Sequence, residues 1–155
     1  MWSPIPLILL VLATPLTTAT PSAKTTQLLS TLSSLTLTQS AALTALSRLQ
    51  NLTTSAATDP LIHTAAKSDL QTFLTASAQL RANLLPLSSI NPQITRALAA
   101  LMASQAIDAG VANNLTGGPG DVPLLVRLRQ DLAVGLEKCD SMKAMATGGP
   151  APMVT

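Results

Sequence analysis

Apolar side chains recur in steps of three and four along four separate segments of this chain, and this repeat limits the fold more than any other feature of the sequence. An α-helix places residues with that spacing on one face, whereas a half-buried strand needs strict alternation, which no segment of useful length shows. The first segment predicts a helix from Thr25 to about Asn51, with Gln39 as a polar interruption. Its apolar stripe is Leu28, Leu32, Leu35, Ala42, Leu46 and Leu49.

Two dipeptides mark where a second and a third helix begin. Asp59-Pro60 and Asn91-Pro92 each place a capping side chain before a proline, which suits the first helical position because its missing N–H would have no partner there. Pro86 is expected to end the second helix. The apolar stripes of these two helices are Leu61, Ala66, Leu70, Phe73, Ser77, Leu80 and Leu84, and then Ile94, Leu98, Leu101 and Met102.

The third helix is expected to end between Gly110 and Asn114, and a glycine-rich loop follows it. That loop lacks the preceding strand and the Gly-Lys-Ser/Thr of a phosphate loop, so we interpret it as a linker. Asp121 is expected to cap a fourth helix. Four amphipathic helices with short connections predict an all-α chain, folded as an antiparallel four-helix up-down bundle. The stripe of the fourth helix is Leu125, Leu128, Leu132, Leu136, Cys139 and Met142.

The N-terminus has the outline of a signal peptide. An apolar run ends at Leu12. This run is too short to span the ~30 Å of a bilayer core, so a membrane anchor is the less favoured alternative. Small residues in Thr17-Thr18-Ala19 predict cleavage after Ala19. The predicted organisation is a signal peptide over 1–19, a helical bundle over 20–147 and a flexible Gly/Pro tail over 148–155. We therefore expect a secreted protein, either extracellular or in a cell wall.

Charged and chemically reactive residues are scarce. The 9 basic and 7 acidic side chains are scattered singly, which gives a net charge of +2 but no basic patch, so nucleic acid is not an expected partner. His63 is the only histidine, and we expect it to be solvated rather than part of a catalytic triad. One His and one Cys cannot supply a structural zinc site. The sequence therefore predicts no enzyme, no metal and no cofactor.

Three further positions are relevant if the chain is secreted. Asn51 and Asn114 each begin an N-glycosylation sequon near a place where the helical pattern weakens, although Asn114 also suits an ordinary turn. Cys139 has no partner within the chain, and its place on the apolar stripe favours a buried thiol over an intermolecular disulfide.

The core has few large side chains to fill it. Leucine and alanine supply 29 and 24 of the 155 residues, and Phe73 is the only aromatic residue after the predicted cleavage site. The helices must therefore approach closely or leave an apolar cavity. If a cavity forms, we expect Phe73, Leu98, Leu101 and Leu132 to line it, with Arg81, Arg96 or Lys67 available at its rim for a carboxylate.

The chain resembles the fungal hydrophobic surface-binding protein A and cell-wall galactomannoprotein family. The resemblance rests on the high content of Leu, Ala, Thr and Ser and on the helical spacing of apolar residues in the segments 28–52 and 122–136. The resemblance covers roughly residues 25–145 and includes no short diagnostic motif. It implies a secreted helical glycoprotein that adsorbs to hydrophobic surfaces or holds fatty acids. Plant invertase and pectin methylesterase inhibitors are less similar, because they depend on paired cysteines.

Two classes of function stay open. The first is a non-catalytic binder of apolar, fatty-acid-like ligands or hydrophobic surfaces. The second is a secreted protein-interaction module or effector that acts on another protein. Both would use amphipathic helices, so the pattern alone does not separate them; an apolar cavity favours the first, and a tight core with a large exposed apolar patch favours the second.

Overall fold

The computed structural model describes residues 22–55 and 59–149, and all regular structure in those ranges is helical. The elements are α1 (Ala23–Thr54), α2 (Pro60–Ser88), α3 (Pro92–Asn113) and α4 (Val122–Ala146), with a 3-10 turn at Pro119–Asp121. The predicted all-helical chain is confirmed for these residues, which contain no strand. The predicted signal peptide, its cleavage site and residues 150–155 lie outside the described ranges.

Local capping explains where the first three helices begin. The Oγ atom of Ser22 accepts a hydrogen bond from the backbone N–H of Thr25 at 3.2 Å. Asp59 accepts one from the N–H of Leu61 at 2.8 Å, and Asn91 accepts one from the N–H of Gln93 at 2.9 Å. These side chains satisfy amides that have no partner within the helix. The two Asx-Pro start signals are therefore confirmed.

Asp121 precedes α4 as expected, but its carboxylate does not cap that helix. It accepts hydrogen bonds from the backbone N–H groups of Thr116 at 2.7 Å and Gly117 at 2.6 Å. The 3-10 turn causes the difference, because it leads directly into α4 and gives Asp121 a helical backbone conformation, with φ −79° and ψ −16°. A capping residue needs an extended conformation to reach forward along the helix. Asp121 instead fixes the loop before it.

The expectation that Pro86 ends α2 is wrong, because the helix continues to Ser88. Proline lacks a backbone N–H. At Pro86, close to the C-terminus of α2, it therefore removes one helical hydrogen bond. The last turn places Leu87 in the core and buries Ser88. The Ser88 hydroxyl donates to the carbonyl of Leu85 at 2.8 Å. Burial of Leu87 offsets the lost bond.

Buried residues on each helix alternate in steps of four and three, which is the heptad spacing of packed helix bundles. α1 and α3 each contact α2 and α4 but not one another, so the four helices surround one central core. The main buried stripes are Leu28, Leu32, Leu35, Gln39, Ala42, Leu46 and Leu49 in α1, Leu70, Leu74, Ser77, Arg81, Leu84 and Ser88 in α2, Ile94, Leu98, Leu101, Gln105, Asp108 and Ala112 in α3, and Leu125, Leu128, Leu132, Gly135, Cys139 and Met142 in α4.

The buried face of α2 differs from the predicted stripe. Leu74 and Arg81 are buried where Phe73 and Leu80 were expected, and Leu61 is 77% exposed. Both stripes advance in steps of three and four, so the spacing alone does not distinguish the two faces of α2. Packing against α1 and α3 selects the face that contains positions 74 and 81, and it brings an arginine into the core.

The apolar core is divided into two clusters along the bundle. The first core cluster is built mainly from Leu46, Leu49, Leu70, Leu125, Leu128 and Leu132. The second core cluster is built mainly from Leu28, Leu32, Leu84, Ile94, Leu98 and Leu101. Within the described ranges, each helix is too short or too polar to cross a membrane.

Candidate functional site

Polar side chains separate the two core clusters. They lie on three helices, at the heptad positions between the leucines of one cluster and those of the other, and each is at most 5% exposed. We call this set the polar layer. It consists of Gln39 on α1, Ser77 and Arg81 on α2, and Gln105 and Asp108 on α3.

The fourth helix contributes a glycine at this level. A Cβ atom on Gly135 would lie 2.9 Å from Nε2 of Gln105 and 3.2 Å from Nε2 of Gln39. The first distance is shorter than Cβ contacts in real proteins and the second is tighter than most of them, so a larger residue would push the ends of both glutamine side chains away. Gly135 therefore allows two glutamine amides to reach the α4 backbone at the centre of the bundle.

Many polar atoms of the layer have no hydrogen-bond partner among the described residues. An unpartnered buried polar atom costs about 1–3 kcal/mol, and native cores satisfy nearly all such atoms. An apolar core of the same shape would avoid this cost. The layer therefore has the hydrogen-bonding capacity to hold a polar guest. The unpartnered atoms are Nε2 of Gln39, Oγ of Ser77, Nη1 of Arg81, Nε2 and Oε1 of Gln105, and Oδ2 of Asp108.

A groove between α2 and α3 connects the surface with the polar layer. Its cavity has a volume of about 320 Å³ and a mainly apolar lining. Arg81 and Gln105 are the lining residues that also belong to the polar layer. The other lining residues are Leu74, Thr75, Ala78, Met102, Ala106 and Ala109. Small side chains on the facing helices leave this space.

Asp108 brings a titratable group to the layer. Burial, the nearby charge of Asp131 and a hydrogen bond to that side chain together raise the pKa of its carboxyl to about 7, while Arg127 and Arg81 oppose the shift. Arg127 forms an ion pair with Asp131 at 3.6 Å. A carboxyl in this setting holds its proton up to neutral pH.

Arg81 remains the permanent charge of the layer. Burial lowers the pKa of its guanidinium, and the charges of Cys139 and Asp108 act in the opposite direction. Arginine keeps its proton in proteins because its ordinary pKa is above 12. Its Nη1 atom therefore presents a cationic donor within the bundle.

Cys139 adjoins the layer and is fully buried, in agreement with the prediction of a buried thiol. Its Sγ donates to Oε1 of Gln39 at 3.5 Å. Burial raises the pKa of the thiol to about 12. The thiolate is the reactive form, so this cysteine is unsuited to nucleophilic chemistry.

The structure distributes the four predicted lining residues over both clusters. Leu98 and Leu101 pack in the second core cluster and Leu132 in the first, all of them fully buried. Phe73 is half-buried and lines a different groove, beside Arg48 on α1. These side chains do not share one cavity here, and their contact with a ligand stays a prediction.

Of the three cations expected at a rim, only Arg81 reaches the interior, and it lies deeper than expected. Lys67 donates to the carbonyl of Asn113 at 3.0 Å and also to that of Leu115. Arg96 is exposed on α3. Arg81 lies on the buried face of α2, four residues after Ser77.

A second cavity, of about 560 Å³, lies where α1 ends and α2 begins. It is lined by hydroxyl groups and by His63, which is half-buried rather than solvated as expected. Nε2 of His63 lies 3.3 Å from Oγ1 of Thr53, and its ring packs on Gly117. No carboxylate contacts the ring in the described structure, and no group of three His, Cys, Asp or Glu residues there could hold a metal ion.

Both predicted glycosylation sites are exposed and belong to this same end of the bundle. Asn51 lies in the last turn of α1, and Asn114 follows the last turn of α3. The side-chain amide of Asn114 donates to the carbonyl of Gly110 at 3.0 Å, which is the ordinary turn role. Their glycosylation stays a prediction.

Gln105 and Asp108 are the site residues that the sequence reasoning missed. The predicted stripe of α3 stopped at Met102, after which polar residues replace leucine. Continuing the alternation of three and four beyond Leu101 leads to positions 105, 108 and 112. That extension is the signal that would have placed both side chains in the core.

The chain matches no protein-family model, no curated protein and no solved structure.

Proposed function

We propose that this chain is a secreted, non-catalytic protein that binds an apolar, fatty-acid-like molecule in the groove between α2 and α3. The observation that carries the proposal is the groove itself, because it has an apolar lining and ends at two buried polar side chains, Arg81 and Gln105. Small-molecule sites in proteins combine these features: a mostly apolar cavity and a few fixed polar groups.

The groove volume sets the size of the ligand. A volume of about 320 Å³ holds roughly ten groups the size of a water molecule. Ten buried methylene groups would contribute ~8 kcal/mol, and association costs at least ~4 kcal/mol, so the tail alone would bind with about millimolar affinity. Tighter binding requires a contribution from the head group.

The same proposal includes the helix topology, the location of the protein and the role of the family that it resembles. The helices follow one another as an antiparallel up-down bundle, the signal peptide directs the chain outside the cell or to a cell wall, and the protein shares the role of the hydrophobic surface-binding family that its sequence resembles. Support comes from the apolar N-terminal run, the Leu/Ala/Thr/Ser composition and the ring of neighbouring helices. Adsorption to a hydrophobic surface is the second form of the same binding activity.

The direct test is titration of the secreted protein with a fluorescent ten-carbon fatty acid. Ala106 lines the groove, so Ala106→Phe should fill it and weaken binding at least tenfold. Ala99 is exposed on the same helix outside the groove lining, so Ala99→Phe is the matched control and should bind like the wild type. Equal binding by both variants would place the ligand elsewhere.

The alternative is a secreted protein-interaction module. Its support is the exposure of neighbouring apolar side chains at the start of α2, where Leu61 is 77% and Ile62 is 44% exposed. Failure to bind the fatty acid, together with failure to adsorb to a hydrophobic surface, would favour this alternative. Substituting Leu61 with Ser should then weaken binding of the partner without loss of stability, because the side chain is solvated.

A further inference from the structure

One of the buried residues that line the groove is a cation. Arg81 is 5% exposed, it lines the groove, and its Nη1 has no hydrogen-bond partner in the described structure. A guanidinium has only donors, and burying it without acceptors is costly. Carboxylate-like anions match it well because two parallel N–H groups can bind two oxygens.

A second donor lines the same groove from α3. Gln105 is 2% exposed, and both polar atoms of its amide lack partners among the described residues. Its Nε2 lies near the α4 backbone at Gly135, where a Cβ atom would be only 2.9 Å away. An oxyanion that reached the polar layer would find a charged donor from α2 and a neutral donor from α3.

The charged groups around the polar layer have a net charge that one monovalent anion would neutralise. The charged and titratable groups that act on this level are Arg81 from α2, Asp108 from α3, and Arg127, Asp131 and Cys139 from α4, while α1 contributes the uncharged Gln39. Lys143 and Asp140 also act on Cys139, but they form an ion pair and add no net charge. With a proton on Asp108 and on the thiol, the two arginines exceed the one remaining carboxylate by a single positive charge. A monovalent anion would neutralise it.

We infer that the polar layer is the head-group site of the groove, and that it selects amphiphiles with a monovalent anionic head, such as a carboxylate or a sulfonate. This inference rests on the proposed function. Arg81 and Gln105 bind the head, and the apolar lining of the α2–α3 groove holds the tail.

The test compares three ligands with the same ten-carbon chain: decanoate, decane-1-sulfonate and decan-1-ol. Binding to the secreted protein is measured by calorimetry at pH 6. Both anions should bind at least tenfold more tightly than the alcohol. In Arg81→Met the anions should lose this advantage while the alcohol binds as before. Arg96→Met, which removes an exposed arginine of the same chain, should bind all three like the wild type.

The pH profile with decane-1-sulfonate adds an independent readout. This head group stays ionised between pH 5 and pH 9, so any change in affinity reports a group of the protein. Affinity should fall about tenfold as the pH rises through about 7, since Asp108 then becomes negative. Asp108→Asn should bind with the same affinity at both ends of the range. Thermal melts of every variant verify that the bundle is folded.

The outcomes are distinct. Equal affinity for the alcohol and the anions would refute the head-group site and leave the apolar groove intact. Undiminished anion selectivity in Arg81→Met would also refute it, because another cation would then bind the head. If none of the three ligands binds, the proposed function fails, and the polar layer is a hydrated layer of the core only.

Discussion

The carboxyl of Asp108 makes the stability of the fold depend on pH, and Asp108→Asn tests this directly. Burial, reinforced by the charge and hydrogen bond of Asp131, raises the pKa of this carboxyl from its ordinary value of 3.8 to about 7. Between those pH values the folded chain holds a proton that the unfolded chain releases. Its contribution to stability is therefore complete below about pH 4 and is lost as the pH rises through about 7.

The size of the effect follows from the same two values. A carboxyl with a pKa near 7 in the fold and near 4 in the unfolded chain loses ~4 kcal/mol of stability between pH 4 and pH 8. Asp131 shares this interaction and is partly solvated, so we expect about half of that, ~2 kcal/mol. For a chain of this length the melting temperature should change by roughly 4–8 °C.

The assay is thermal unfolding of wild type and Asp108→Asn, followed by circular dichroism from pH 4 to pH 8. The amide cannot ionise, so the variant should match the wild type at pH 4 and melt roughly 4–8 °C higher at pH 8. Asp69→Asn is the matched control, since Asp69 is exposed and forms an ion pair with Arg48 at 3.8 Å. It should keep the wild-type pH dependence. A constant difference between wild type and Asp108→Asn at all pH values would refute the reasoning.

Three further predictions concern packing, the loop and the thiol. Gly135→Ala should be less favourable than Gly110→Ala by about 1–3 kcal/mol in chemical denaturation, because its Cβ would meet the amide of Gln105 at 2.9 Å, whereas no atom lies within 4 Å of a Cβ at Gly110. Gly110→Ala should itself stabilise the fold by about 0.5–1 kcal/mol; equal effects of the two substitutions would contradict this role of Gly135. Asp121→Ala should cost about 2–3 kcal/mol and increase proteolysis at the loop before α4, because it removes the acceptor of two backbone N–H groups; unchanged cleavage would contradict that role. Cys139 should react with a thiol reagent at pH 8 only in denaturant, whereas rapid labelling of the native protein would contradict its burial.

Helix positions could be predicted because their signals are local. Asp59-Pro60 and Asn91-Pro92 begin helices through contacts that reach only two residues along the chain. The apolar repeat required helices and excluded strands for the same reason, since a period near 3.6 has meaning within one segment. The prediction at Pro86 was wrong because the hydrogen bond that proline removes is a local effect, whereas the burial of Leu87 that offsets it depends on contacts with other helices.

Asp121 shows where local signals stop being sufficient. A carboxylate before a helix has two sets of backbone amides within reach, those of the helix and those of the preceding loop. The 3-10 turn selected the loop, and no pattern in the sequence around position 121 distinguishes the two.

The sequence by itself determined an all-helical chain, the starts of its helices and most of its leucine stripes. Only the tertiary structure decided that Gln39, Arg81, Gln105 and Asp108 lie at one level of the core. Each of these side chains is polar, so each would favour the surface if its helix were alone in water. They are buried because the two leucine-rich core clusters on either side of the polar layer bury more apolar area than the polar groups cost, and because four helices in contact share one heptad register.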